Sequence, residues 1–411
     1  MRTYRELFRT PEFLPFFTTV SVQVAAQTAA GLALGTLVYT ATGSPLLSAL
    51  AMFGSSLAQV AGALTLLSAA DRLPPRATLT GLAVLFALGT GVQAVPGLPL
   101  WAAFAVLLGL GVASSLGGGV RYGLLNEILP QRGFLLGRSA LNMAVGTMQI
   151  LGFAVGGVLV TALSARGTLL VGAALYVVAA ALARFGLTAR PPRASGRASV
   201  RETWRTNALL WSSVPRRSVY LALWVPNGLV VGCESLYIAY APAHAGLLFA
   251  CGALGMLTGD ALVGRFVPGR WRARLGAPLR LLLAAPYLVF ALDPGLPVAV
   301  VAVVLASVGF SASLLLQERL MALTPEELSG HALGLSSSGM LAMQGVGAAV
   351  AGSVAQLTSP GTGMAAVAAL SLAVTVALAP GLRAGRGQEA EGRLQGEGSP
   401  RTTETKETTT S

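Results

Sequence analysis

Residues 184–217 read RFGLTARPPRASGRASVRETWRTNALLWSSVPRR, with eight arginines and one acidic residue, Glu202. This is the longest interruption of an otherwise apolar chain. Before it, apolar windows bounded by charge, proline or glycine fall near residues 13–39, 44–68, 78–95, 98–122, 139–163 and 167–187. After it they recur near 218–240, 244–264, 276–292, 296–317, 332–356 and 362–380. Each is long enough for the roughly 20 apolar residues that a membrane helix needs. The interruption therefore reads as a linker, 188–217, between two six-helix bundles, 1–187 and 218–381. Arg184 snorkels from the end of the sixth helix to the surface. Ser199-Val-Arg-Glu202 has the pattern of a capping box. Residues 203–210 then form either a short helix lying on the inner leaflet or a solvated tether.

The composition agrees with lipid as the solvent. Of the 411 residues, 54% are hydrophobic and 11% charged, against about 25% charged in an average soluble domain. The formal charge of +12 does not indicate nucleic acid, because the basic residues sit in short segments between apolar runs. Such segments are attracted by anionic head groups. Arg2, Arg5 and Arg9 precede an apolar run that is too long for a signal peptide, so it is a first helix. Cys233 and Cys251 both lie in apolar runs and define no disulfide framework.

The basic residues also fix an orientation. With the N-terminus inside, the short outer loops hold Arg166 alone, and the other 27 of the 28 lysines and arginines fall on inner segments. This is the positive-inside asymmetry, and an error of one helix within either half would destroy it. The reading is an all-α polytopic membrane protein with twelve transmembrane helices. Both termini lie in the cytoplasm, the cell membrane is its location and the lipid bilayer its main partner.

A shift of 193 residues aligns the halves. It pairs Gly35 with Gly228, Gly62 with Gly255, Arg72 with Arg265, Pro75 with Pro268, Gly137 with Gly330, Gly146 with Gly339 and Gly152 with Gly345. The pairs fall in corresponding loops and helices, and two six-helix repeats are a recurrent transporter architecture. Beyond residue 381 the chain turns polar, rich in Gly, Glu and Thr, so 382–411 reads as a disordered cytoplasmic tail.

Three places carry a resemblance. Thr42-Gly-Ser-Pro45 precedes the second helix and Ala70-Asp71-Arg72 follows it, similar to a Gly-x-Leu-Ala-Asp-Arg-x-Gly-Arg-Arg loop, although Leu67, Pro74 and Pro75 depart from it. Residues 121–141 space Pro130, Gly137, Ala140 and Leu141 as in an exporter's fourth-to-fifth loop. Gly152-Phe-Ala-Val-Gly156-Gly157 is similar to a Gly-Pro-x-x-Gly-Gly antiporter motif, with Phe153 in place of the proline. On these residues the chain resembles the major facilitator superfamily, and within it the drug, macrolide and siderophore exporter branch. The resemblance implies that Asp71 and Arg72 latch the halves when the inner gate is closed. Their alternative is a positive-inside anchor with a local ion pair. Gly152 and Gly156 form a small-xxx-small face, which ordinary helix packing explains as well as antiport does.

Ionisable and polar residues inside spans single out further candidates, since a charge at the bilayer centre costs about 2.5–3.5 kcal/mol on insertion scales. Glu234 lies well inside the seventh helix with no basic residue near it in sequence. It either faces a central cavity, carrying a proton or binding a cationic substrate, or is a neutral acid bonded to a neighbouring helix. Asp260 is expected to pair with Arg265. Arg121 and Glu127, and likewise Glu318 and Arg319, lie at inner helix ends as gate contacts or interface charges. Gln23, Gln27, Asn142, Gln149, Asn227 and Gln344 either line a cavity or bond between helices.

Lys406 is the only lysine, which excludes a Walker A loop, and His244 and His331 are far apart with no metal-ligand cluster. No cofactor, metal or enzymatic chemistry is expected. The function that follows is proton-coupled secondary efflux of small amphipathic molecules by a monomer rocking two bundles around a central site. An importer of the same fold and a non-transporting membrane scaffold or sensor are the alternatives.

Overall fold

A computed structural model describes residues 4–70, 73–129, 131–192, 200–325 and 328–397, and every regular element among them is helical. Spans 1 to 4 are Phe13–Thr42, Pro45–Ala70, Pro75–Gln93 and Leu100–Ile128. The helix Gln131–Gly186 comprises spans 5 and 6. Its apolar stretch of 51 residues would measure about 75 Å at 1.5 Å per residue, far beyond a hydrocarbon core of about 30 Å. The chain breaks instead at Ser164, whose φ of 76° and ψ of 165° are not helical, where the loop between the fifth and sixth helices is expected.

After the linker helix Val200–Ser212, span 7 runs through Val214–Ser235 and Tyr237–Tyr240. Span 8 is Ala245–Ala261, closed by the π-helical turn Leu262–Phe266. Span 9 joins Gly269–Leu282 to the 3₁₀ segment Ala285–Leu292, and span 10 joins Leu296–Gly309 to Ala312–Ala322. Spans 11 and 12 are Ser329–Leu357 and Pro360–Glu397. Prolines open spans 2, 3 and 12, where a missing N–H costs nothing. Gly43 closes span 1 at φ 64°, with its N–H bonded to the Tyr39 carbonyl, a left-handed cap that a side chain would strain. The twelfth helix continues to Glu397, beyond the point where an unstructured tail is expected; Arg, Gln, Glu, Ala and Leu in 383–397 favour it against the four glycines of that segment. Residues 398–411 lie outside the described part.

Two pairs of spans make most of the contact between the halves: span 2 packs on span 11, and span 5 on span 8. A shift of one six-helix repeat exchanges these pairs, as a two-fold pseudo-symmetry requires. The glycine repeat has a packing counterpart. A Cβ on Gly62 would lie 2.6 Å from the Val112 carbonyl of span 4, and one on Gly255 would lie 2.7 Å from the Val304 carbonyl of span 10. Small residues thus let spans 2 and 4, and spans 8 and 10, approach in the same way. Large side chains such as Leu88, Val158, Val177, Val301 and Val376 are exposed around the outside, which suits contact with acyl chains.

The start of span 1 is tied to the first residues after span 6. Arg190 is 2.7 Å from one carboxylate oxygen of Glu12 and 3.4 Å from Glu127, and the Thr188 N–H donates to Glu12 Oε1 at 3.0 Å. Burial works to raise the Glu12 pKa, but the bonds from Thr188 and Arg190 outweigh it, and the net displacement is downward. A carboxylate held below its ordinary 4.5 contributes stability that is present above that value and is lost as pH falls through the folded one. The melting temperature of the solubilised protein should therefore drop below pH 4.5, and Arg190→Ala should shrink that drop. An equal acid-dependent loss in both proteins would refute this assignment.

Candidate functional site

The halves meet most tightly at one end of the bundle. At the end carrying the loops near residues 43, 164, 242 and 358, the Ser44 hydroxyl donates to Gln356 Oε1 at 2.7 Å. The Tyr39 hydroxyl donates to the Ala239 carbonyl at 3.4 Å. The seam between spans 5 and 8 loosens with distance from this end. A Cβ on Gly157 would sit 2.9 Å from the Gly246 Cα. One turn further, Phe153 and Phe249 stack with centroids 4.6 Å apart. At Gly146 a Cβ would reach only the tip of Leu257, at 3.8 Å.

Within the first half lies a cavity of about 260 Å³, near the lower end of ligand pockets, which run from about 300 to 1,000 Å³. Span 1 contributes Gln23 and Gln27, span 2 Ser55 and Gln59, and span 4 Ser114 and Arg121. Leu79, Leu82 and Phe86 of span 3 form an apolar wall, and Tyr176 of span 6 adds a phenol. The Arg121 Nη2 donates to Gln23 Oε1 at 2.8 Å, and Gln23 is buried. Arg121 is the only lining residue with a formal charge among the described residues. The arrangement can hold a small molecule with an apolar body and several hydrogen-bonding groups.

Arg121 is thereby placed differently from the helix-end position expected of it. Span 4 runs to Ile128, six residues past the expected end at 122, which puts Arg121 two turns inside the helix. Gln59 and Tyr176, which the sequence reading did not single out, carry the same signal as Gln27: a polar group within an apolar window.

Asn227 ties helices together: its Nδ2 donates to the Leu223 carbonyl at 2.6 Å and to the Ser313 hydroxyl of span 10 at 3.0 Å. Glu234 is half-buried. It stands seven residues after Asn227 and four before Ile238, so the three share one face of span 7. Ile238 reaches Gly35 of span 1, so this face meets the other half at Ile238 and span 10 of its own half at Asn227. Asn142 and Gln149 are exposed on the span 5 face that carries Gly146 and Phe153. Asp260, three residues after Leu257, is half-buried on the facing side of span 8.

The expected ion pair between Asp260 and Arg265 is not formed among the described residues. Five residues apart on a helix point to different faces, and the π-helical turn lies between them. Arg265 is exposed, as is Glu318, while the Arg319 Nη1 donates to the Leu382 carbonyl of span 12 at 2.6 Å. Glu127 pairs with Arg190 at 3.4 Å. Asp71 and Arg72 lie outside the described residues. In the glycine motif, Gly152 and Gly156 pack against Thr28 and Ala29 of span 1, and Gly157 against Gly246 across the seam.

Comparison with known proteins gives a family match and a fold match. The family model described as Major Facilitator Superfamily matches residues 16–317. No curated protein matches the chain. Among solved structures, a point mutant of the nucleoside transporter NupG aligns with a TM-score of 0.70 at 14% identity, covering 90% of this chain and 99% of that one. A POT family transporter in complex with a thioalcohol-conjugated peptide gives 0.68 at 11%, covering 89% and 95%. A bacterial homolog of the human lysosomal transporter Spinster, inward-facing and unoccupied, gives 0.65 at 14%, covering 93% of each chain. At these identities the likeness is one of fold.

Proposed function

This chain belongs to the major facilitator superfamily, and from that premise we propose that it exports small amphipathic compounds by proton-coupled alternating access. The observation that carries this reading is the one-sided closure of the bundle. The halves are tightest at Gly157 and Gly246 and looser at Gly146, whose Cβ would reach only the tip of Leu257, with exposed Asn142 on span 5 and half-buried Asp260 on span 8 beyond that contact. A rigid rocking of the halves about this seam would close one end as it opens the other. With the linker end cytoplasmic, as the arginine distribution expects, this conformer faces inward and is ready to load from the cytoplasm.

The cavity wall supports an amphipathic cargo, since Leu79, Leu82 and Phe86 line it together with Gln23, Gln27 and Gln59. Glu234 supplies a titratable group four residues before Ile238, which meets Gly35 of the other half. Everted membrane vesicles containing the chain test the proposal. A proton gradient should drive the uptake of an amphipathic fluorescent dye from a panel of acids, bases and neutral compounds. An uncoupler should collapse that uptake. Uptake no faster than in vesicles lacking the chain, for every dye, would overturn it.

A further inference from the structure

We infer that the cavity of the first half recognises an acidic group on the transported molecule, with Arg121 as its counter-ion. The inference rests on the transport reading and specifies its substrate class. Arg121 brings a permanent positive charge two turns inside span 4, with its Nε buried in the protein, where a lone cation is costly unless something compensates it. Inside the protein only a fraction of that compensation exists. Gln23 Oε1 accepts one hydrogen bond, at 2.8 Å, from a guanidinium with five donors. The Arg121 Nε is buried and has no hydrogen-bond partner. No Asp or Glu lines the cavity among the described residues.

Its other polar lining is uncharged, and Gln23, Gln27, Gln59, Ser55 and Ser114 offer both donors and acceptors. A neutral polar solute would satisfy those groups and leave the charge as it is. A basic solute would meet like-charge repulsion. A carboxylate or phosphate would instead take the open edge of the guanidinium, where paired N–H groups match its geometry. Charge-assisted bonds of this kind gain strength in a site shielded from water. Leu79, Leu82 and Phe86 would hold the apolar remainder, so the inferred cargo is an amphipathic acid. A structural clamp between spans 1 and 4 would need only the single bond to Gln23, and would leave Nε without a role.

The test is ligand-dependent thermal stabilisation of the purified full chain in neutral detergent, with a panel of aromatic carboxylates and aryl phosphates. 1-Naphthoate and 1-naphthyl phosphate represent the acids, 1-naphthamide the neutral isostere and 1-naphthylmethylamine the base. The acids should raise the melting temperature by several degrees and the amide and amine by little. Arg121→Gln should remove the acid-specific shift, and Arg121→Lys should keep part of it. If Arg121→Gln does not fold, the contrast between Arg121→Lys and the wild type decides, since an ammonium cannot reproduce the bidentate contact and should weaken acid binding at least threefold. Stabilisation by none of the acids, equal stabilisation by the amide, or an acid shift that survives in Arg121→Gln or is undiminished in Arg121→Lys would overturn the inference. Stabilisation by phosphatidylglycerol that competes with naphthoate would assign the acid to a lipid head group and overturn a solute substrate. Transport of amines or neutral dyes without acid binding would leave the transport reading standing and this inference refuted. Acid binding without transport would do the reverse.

Discussion

Gly157→Leu should cut transport by roughly tenfold or more while leaving the protein folded. In the present conformer a Cβ at this position would fall 2.9 Å from the Gly246 Cα, and backbone cannot yield as a flexible side-chain tip can. Leucine adds three carbons beyond that Cβ. Inserting extra methylenes into a packed site costs typically about 1–3 kcal/mol, equivalent to about 5- to 150-fold in a population ratio. The cost falls on the state in which spans 5 and 8 touch and not on the state in which they are apart, so it shifts the equilibrium between conformers. Because a transport cycle needs both conformers, depopulating one slows it. Cross-linking reads this directly. With Cys233 and Cys251 replaced by alanine, Ser44→Cys and Gln356→Cys should be joined readily by a short bifunctional methanethiosulfonate, since the native side chains meet across the halves at 2.7 Å. Adding Gly157→Leu should lower that yield several-fold, and Gly157→Ala less. Unchanged cross-linking and an unchanged rate would show that the seam does not control the cycle.

The seam also shows where sequence reading succeeds and where it stops. Apolar length and the placement of arginines mark out spans 1 to 12, and Ser164 lies at an expected loop, because these features follow from the solvent that each segment meets. Depth is harder. Nothing local to Tyr122 says that span 4 continues to Ile128, because the bundle's own carbonyls and lipid head groups can stabilise an arginine at either depth. The consequence is large, because it moves Arg121 from a helix end into a cavity. Asp260 and Arg265 fail for a simpler reason. Proximity in sequence suggested a pair that five-residue spacing on a helix does not favour, and the π turn could not be read from Leu262–Phe266. Glycine spacing identified Gly152, Gly156 and Gly157 as contact points, but not that Gly157 faces the other half while its neighbours face span 1. Periodicity assigns a face to a residue, and the partner of that face is set by the whole bundle.

Glu234→Gln should abolish gradient-driven accumulation while sparing exchange. Glutamine keeps the size and hydrogen-bonding capacity of the carboxyl and removes its titration, so packing on span 7 is preserved and proton carriage is not. The position suits the role: Glu234 shares a face with Ile238, which touches Gly35 of span 1, and that contact lies between the two halves that must move. Among the described residues Glu234 makes no ion pair, so no resident cation fixes its protonation through the cycle. The magnitude follows from the driving force. One elementary charge moved through 100 mV is worth about 2.3 kcal/mol, or about 50-fold in the concentration ratio that a one-proton exchanger can sustain. In proteoliposomes with an imposed proton gradient, the accumulation ratio of Glu234→Gln should fall toward one. Solute-for-solute exchange, which needs no net proton movement, should stay within about threefold of wild type, and the rate should lose its dependence on pH between 5 and 8. Glu234→Asp should keep a pH-dependent rate. If Glu234→Gln still accumulates solute against its gradient with the wild-type pH profile, the coupling proton is carried elsewhere, and Asp260 at the seam between spans 5 and 8 becomes the group to substitute next.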